Sequence, residues 1–329
     1  MLNFIEPWEE GYNNKKTVIV FIIATSLKEK NMNIAIIGKI GVIERLLIKI
    51  LDPEKNNIII ANSLPKPGRL QPNVDYWMIQ DKNGDSIQIN QLMKISDTIY
   101  VVDPSLLNSS DLTDYIENVD KDDNNEHSYL EEKQFYLLGC FGTQLALEEK
   151  FNNIPYMLNE LLFEQISGLN VTILRPGFYY TNFYHFIPLI MKKRIIASNF
   201  PIDTPIPLTH TDDIAEQASI EMLGNKKGKY IKYIVSDICS YRNVIEAFSQ
   251  TTDNKLLHYR ELSSQQCMAG LRNIGFEAHI AEVFTKMGTE LRNEALLYEY
   301  YLYGSPVNGG RKIDDFAKEF ADKYKKIAL

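Results

Sequence analysis

The residues with the clearest chemical meaning lie in "NIAIIGKIGVIERLLIKIL" (33–51). Gly38 and Gly41 enclose Lys39 and Ile40 between an apolar run and an amphipathic stretch. A glycine turn that opens a helix lets main-chain N–H groups approach a phosphate, and the helix N-terminus favours the anion. Gly38, Lys39, Ile40 and Gly41 are therefore candidate phosphate-binding residues, with the Lys39 ammonium adding positive charge. The competing assignment is a tight turn with no ligand. Glu44 opposes binding. In the first helical turn its carboxylate would stabilise an empty helix by about 0.3–1 kcal/mol. Beside a phosphate about 4 Å away it would cost about 1–4 kcal/mol, depending on screening. That is up to about a thousandfold in affinity. Binding survives only if the side chain turns outward to solvent.

A second cluster is "GFYYTNFYHF" (177–186). Phe178, Tyr179, Tyr180 and Phe183 offer flat faces on which a ring could stack, and Asn182 or His185 could orient a carbonyl. The alternative is a core that joins two lobes. Cys140, in "LLGCFG", is either a redox-sensing thiol or a small buried hydrophobe. The three cysteines, Cys140, Cys239 and Cys267, form no CxxC pair, and the five histidines form no HxxxH spacing. Reduced thiols and no structural metal are expected.

These residues need a scaffold, and the hydrophobic pattern supplies one. "NIAIIG" is a continuous apolar run, as expected for a parallel strand buried on both faces. "VIERLLIKIL" carries its apolar residues on one helical face. "NNIIIAN", "VDYWMIQD", "DTIYVVD", "QFYLLGCFG" and "NVTILRPG" read as further strands, with helical patterns between several of them. The acidic stretch 103–133 reads as a solvated loop. The fold class expected is α/β, a doubly wound parallel, Rossmann-like sheet over residues 32–176. Residues 177–329 read as a smaller, mostly helical lobe interleaved with it.

The chain has 329 residues, 45% of them hydrophobic and 24% charged, with a net charge of -8. An acidic surface opposes contact with nucleic acid or anionic membrane. No apolar run reaches the roughly 18–20 residues of a membrane-spanning helix. The run "TVIVFIIA" (17–24) has the outline of a signal peptide but is short. The fold signal starts at Met32 or Asn33, so residues 1–31 are expected to be a tail or a gene-model extension. A cytoplasmic protein, monomer or homodimer, with a small-molecule ligand is expected; a protein partner stays open.

Four stretches together resemble the NmrA-like branch of the atypical short-chain dehydrogenase/reductase superfamily. They are "IAIIGKIG" with its helix, "SGLNVTILRPGFYYTNF" (167–183), "LTHTDDIAEQA" (208–218) and "KIDDFAKEF" (312–320). The resemblance implies an NAD(P)-binding Rossmann fold. It also implies either a reductase of a small, quinone-like electrophile or a nucleotide-responsive regulator. A scaffold that has lost the cofactor is the alternative. Where the family has a third small residue, this chain has Glu44. At the end of the second strand stand Asn62 and Ser63, followed by Lys66 and Arg69, either of which could reach a 2′-phosphate. NADP is thereby favoured over NAD. Gly139 and Cys140 fall at the expected cofactor edge. The family's Tyr-xxx-Lys dyad has only Tyr156 as a counterpart, and the lysine position is Glu160. A carboxylate there raises a nearby phenol's pKa rather than lowering it. The dyad is absent, which leaves Tyr156, Asn182 and His185 as weak catalytic candidates.

Overall fold

The computed structural model describes residues 31–62, 74–78, 89–102, 133–143, 145, 160, 163, 168–224 and 226–328. The tail 1–30, the acidic stretch 103–132, Ser63, Lys66, Arg69 and Tyr156 lie outside the described residues.

Seven strands form the main sheet: β1 (Asn33–Ile37), β2 (Asn57–Asn62), β3 (Val74–Met78), β4 (Thr98–Val101), β5 (Gln134–Leu138), β6 (Asn170–Pro176) and β10 (Lys229–Ile234). Their order is β10-β6-β5-β4-β1-β2-β3, and every pairing is parallel. The alternation of side chains along β1 explains its uninterrupted apolar sequence. Ile34 and Ile36 enter one buried cluster, while Ala35 and Ile37 enter another on the opposite face. The first cluster is closed by Ile43 and Leu47 of the first helix (Val42–Ile50) and by Ile214, Ala215 and Ala218 of the Thr211–Leu223 helix. That later helix and β10 both follow residue 176, so the second half of the chain completes the first half's sheet and core.

The remaining elements build a second lobe around an aromatic core. Phe183, Tyr241, Phe248, Phe316 and Phe320 belong to it, with Phe248 and Phe320 stacked at 3.9 Å. The lobe contains more strand than the sequence pattern implies. β7 (Phe178–Tyr179), β9 (Ile206–Thr209) and β11 (Asp237–Cys239) form one small sheet, and β8 (Ile195–Ser198) pairs with β12 (His258–Glu261). Each has two to four residues, too few for a readable alternation. The helical sequence from residue 277 onward is broken. It runs as Ala278–Arg292, turns through Glu294 at φ 62°, and resumes as Tyr298–Leu302.

Candidate functional site

β2 and β4 flank β1, and the chain order reverses there. In open α/β sheets the crevice at such a reversal, outside the strand carboxyl ends, is where ligands bind. The glycine turn sits at that point. Gly38 takes φ 132°, a conformation that favours glycine, and its N–H donates to the Ala61 carbonyl at 2.9 Å. Gly41 has an ordinary φ of -98°. A Cβ there would come within 2.9 Å of Glu44 Oε2, the far end of a flexible side chain, so space alone does not require glycine.

Glu44 does not turn outward. Its residue is 3% exposed, and its carboxylate accepts the Gly41 N–H at 2.7 Å and its own main-chain N–H as well. Burial raises the carboxyl pKa, and the two N–H bonds and nearby Arg45 only partly offset it. The carboxylate thus occupies the position a phosphate oxygen would take on the first turn. Arranged this way, the turn does not fit a diphosphate: two of its amides are held, and the holder carries like charge. Lys39 is exposed, Ile40 packs against the adjoining core, and Asn62 is buried at the end of β2.

At the carboxyl end of β5 a buried charge network surrounds Glu160, which stands where the resemblance would place the dyad lysine. Arg175, at the end of β6, donates through Nε to Glu160 at 2.6 Å and through Nη1 to the Tyr233 hydroxyl at 2.9 Å and Glu299 at 2.6 Å. Thr143 Oγ1 donates to the other Glu160 oxygen at 2.8 Å. A Cβ on Gly139 would collide with that carboxylate, so glycine makes room for the acid. Burial, followed by the Glu160 charge, pushes the Cys140 thiol up to about 12. The thiol is therefore protonated near neutral pH, and the half-buried side chain packs against the second lobe's core.

The second lobe holds a cavity of about 110 Å³, room for several waters or one aromatic ring. Phe178, Tyr179, Asn182, Phe183 and His185 line it. Tyr180 is placed elsewhere: it is fully buried and stacked on Phe316 at 5.0 Å. The His185 ring meets Phe276 edge-on at 4.8 Å, and burial lowers its pKa, so the imidazole is neutral at pH 7. Ser198, Asn199, Tyr241, Cys267 and Phe284 complete the wall from distant parts of the chain. Asn199 Nδ2 donates to the Thr285 carbonyl at 2.9 Å, which fixes the amide's orientation. Its Oδ1 is buried without a partner among the described residues. Sequence reasoning missed this second half of the wall because no local pattern links β8 to the late helices. The described residues contain no group of three His, Cys, Asp or Glu able to hold a metal ion and no helix long and apolar enough to cross a membrane.

No protein-family model and no curated protein matches the sequence. Solved structures do match. An NADPH-dependent quinone oxidoreductase (QOR2) from Escherichia coli aligns with a TM-score of 0.64 at 14% identity, over 87% of this chain and 98% of that one. NmrA, a negative transcriptional regulator crystallised with NAD, aligns with a TM-score of 0.61 at 13% identity, over 91% and 98%. The triphenylmethane reductase of Citrobacter sp., complexed with NADP(H), aligns with a TM-score of 0.58 at 12% identity, over 89% and 99%. Over most of its length the chain therefore shares the fold of these structures, a Rossmann-like α/β fold with a parallel sheet.

Proposed function

We propose that the chain is a small-molecule-binding protein of NmrA-like type, responsive to nucleotide and not a dyad-dependent dehydrogenase. The second-lobe cavity is its ligand site. NADP(H) is a conditional second ligand at the glycine turn, admitted only when the Glu44 carboxylate moves. NADP is preferred over NAD because Lys66 and Arg69 follow β2 and no acidic residue closes that strand.

One observation carries this reading. The aromatic segment that leaves β6 lines a ring-sized cavity with Asn182 and His185 as polar handles, while the described side chains of the neighbouring centre, Thr143, Glu160, Arg175 and Tyr233, are bonded to one another. A flat, largely apolar ring with one carbonyl suits such a wall. Thermal-shift assays with a naphthoquinone and with NADPH test it. A ligand at a hundred times its dissociation constant adds about 2.7 kcal/mol of stability. A shift with the ring and no NADPH oxidation is the expected result; no shift with any flat aromatic probe overturns it.

A second reading has its own support. The flat aromatic wall suits a quinone, and an aligned neighbour is an NADPH-dependent quinone oxidoreductase. Sustained NADPH oxidation in the presence of a quinone would replace the regulatory reading with this one.

A further inference from the structure

We infer that the second-lobe cavity selects a flat aromatic ligand bearing a hydrogen-bond donor, a phenol or an aromatic amine, and that Asn199 Oδ1 is the acceptor for that donor. The inference rests on the reading of this cavity as the ligand site and adds what selects the ligand.

Asn199 directly follows β8 and is 2% exposed. Its neighbours hold it on two sides. Arg292 donates through Nε and Nη2 to its main-chain carbonyl at 3.0 and 2.7 Å. Its own Nδ2 donates to the Thr285 carbonyl at 2.9 Å and to Thr289 Oγ1 at 3.2 Å, both on the Ala278–Arg292 helix. A main-chain carbonyl can only accept, so the amide nitrogen must occupy that position and the oxygen the other. Oδ1 is then a buried acceptor with no partner among the described residues. Such atoms are few in native proteins, and each calls for an explanation.

Gly288 points to one. It stands in the interior of the same helix, where glycine weakens helical structure. A Cβ on it would collide with Asn199 Oδ1. Asn199 and Gly288 both line the cavity. The missing side chain leaves room for the amide oxygen at the cavity wall, and the hydrogen bonds to Arg292, Thr285 and Thr289 hold it still. An acceptor fixed in advance costs little to order when a ligand arrives. A ring whose O–H or N–H reaches this oxygen gains a bond that a donor-free ring of the same shape leaves unmade.

Calorimetric titration of wild type with 4-hydroxyacetophenone, 4-aminoacetophenone and 4-methylacetophenone tests this. The three differ in one substituent of similar size, and the methyl group has no donor. A donor-bearing ring should bind at least about tenfold more tightly than the methyl compound. That preference should vanish in Asn199→Leu, which removes Oδ1, and in Gly288→Ala, which covers it. Thermal midpoints verify folding, and one folded variant suffices for the comparison. A crystal of the wild-type complex needs no variant: the ligand's hydroxyl oxygen should lie about 2.7–2.8 Å from Oδ1. A hydroxyl placed elsewhere overturns the inference. Equal affinity for all three compounds in wild type overturns it too, and is the result expected if a buried water already serves Oδ1. A preference that persists in the variants assigns the donor to another wall group, with the same consequence. Binding of none of the three, beside a thermal shift with naphthoquinone, overturns the inference and leaves the ligand-site reading standing. If naphthoquinone gives no shift either, that reading falls as well.

Discussion

The carboxylate of Glu44 accepts the main-chain N–H of Gly41 at 2.7 Å. A single side chain thereby caps the first-turn amides that the proposed phosphate contact would need. The carboxyl is buried, which ties its protonation to the stability of the whole domain.

Burial raises the Glu44 pKa above the ordinary glutamate value of 4.5. The folded protein therefore holds a proton over a pH range in which the unfolded chain has released it. The associated stability is fully present below 4.5 and is lost as pH rises through the folded-state value. Chemical denaturation at a series of pH values should show this fall, and Glu44→Gln should flatten it. An unchanged pH profile in Glu44→Gln would contradict the assignment.

The Glu160–Arg175 pair is buried on both sides, with side-chain exposures of 1% and 2%. Removing the acid alone leaves a buried guanidinium short of a partner, at a cost of about 3–5 kcal/mol. Glu160→Leu should show that loss in denaturant unfolding. Replacing both, Glu160→Leu with Arg175→Met, should recover most of it, since an apolar pair of similar volume is tolerated. Glu160→Lys should fail to fold because it sets a second cation against Arg175.

How much of this was legible in the sequence follows from the range of each signal. The strands β1, β2 and β6 and the first helix were legible because burial on one or two faces writes a periodic pattern. Glu44 was legible as an obstacle, since its position in the first turn is a matter of spacing. Its inward rotamer was not, because that depends on the space left by Gly41. Arg175 could be seen at the strand end, but Glu160 and Glu299 reach it only through the fold. Phe178, Tyr179, Asn182, Phe183 and His185 were found as a cluster because they are contiguous. Asn199 and Phe284, across the same cavity, were not. Tyr180 shows the limit of the contiguous argument, since it alternates away into the core.

The cysteines should be inert in the native state. Burial pushes the Cys140 and Cys239 thiols up to about 12, and it raises Cys267 as well. At about pH 8 a thiol of this kind is ionised in roughly one molecule in ten thousand. Iodoacetamide followed by peptide mass spectrometry should label Cys140 only after unfolding. Rapid labelling of the native protein would return the redox role to consideration.

Filling the cavity should separate its two proposed ligands. Ala197 lines the wall, and Ala197→Phe places a ring where the ligand's ring would go. Naphthoquinone binding should drop by at least about tenfold, while NADPH affinity at the glycine turn stays as in wild type. Measuring both by thermal shift verifies the assignment. An undiminished response to the ring would mean that it binds elsewhere.

The most direct test of the central claim, that an internal carboxylate stands on the phosphate-binding amides, is NADPH titration of wild type beside Glu44→Gly by calorimetry. Removing a like charge from about 4 Å should tighten binding by 1–4 kcal/mol, from about fivefold to about a thousandfold. Equal affinity in the two proteins would contradict the claim, because a side chain that leaves binding unchanged does not occupy the site.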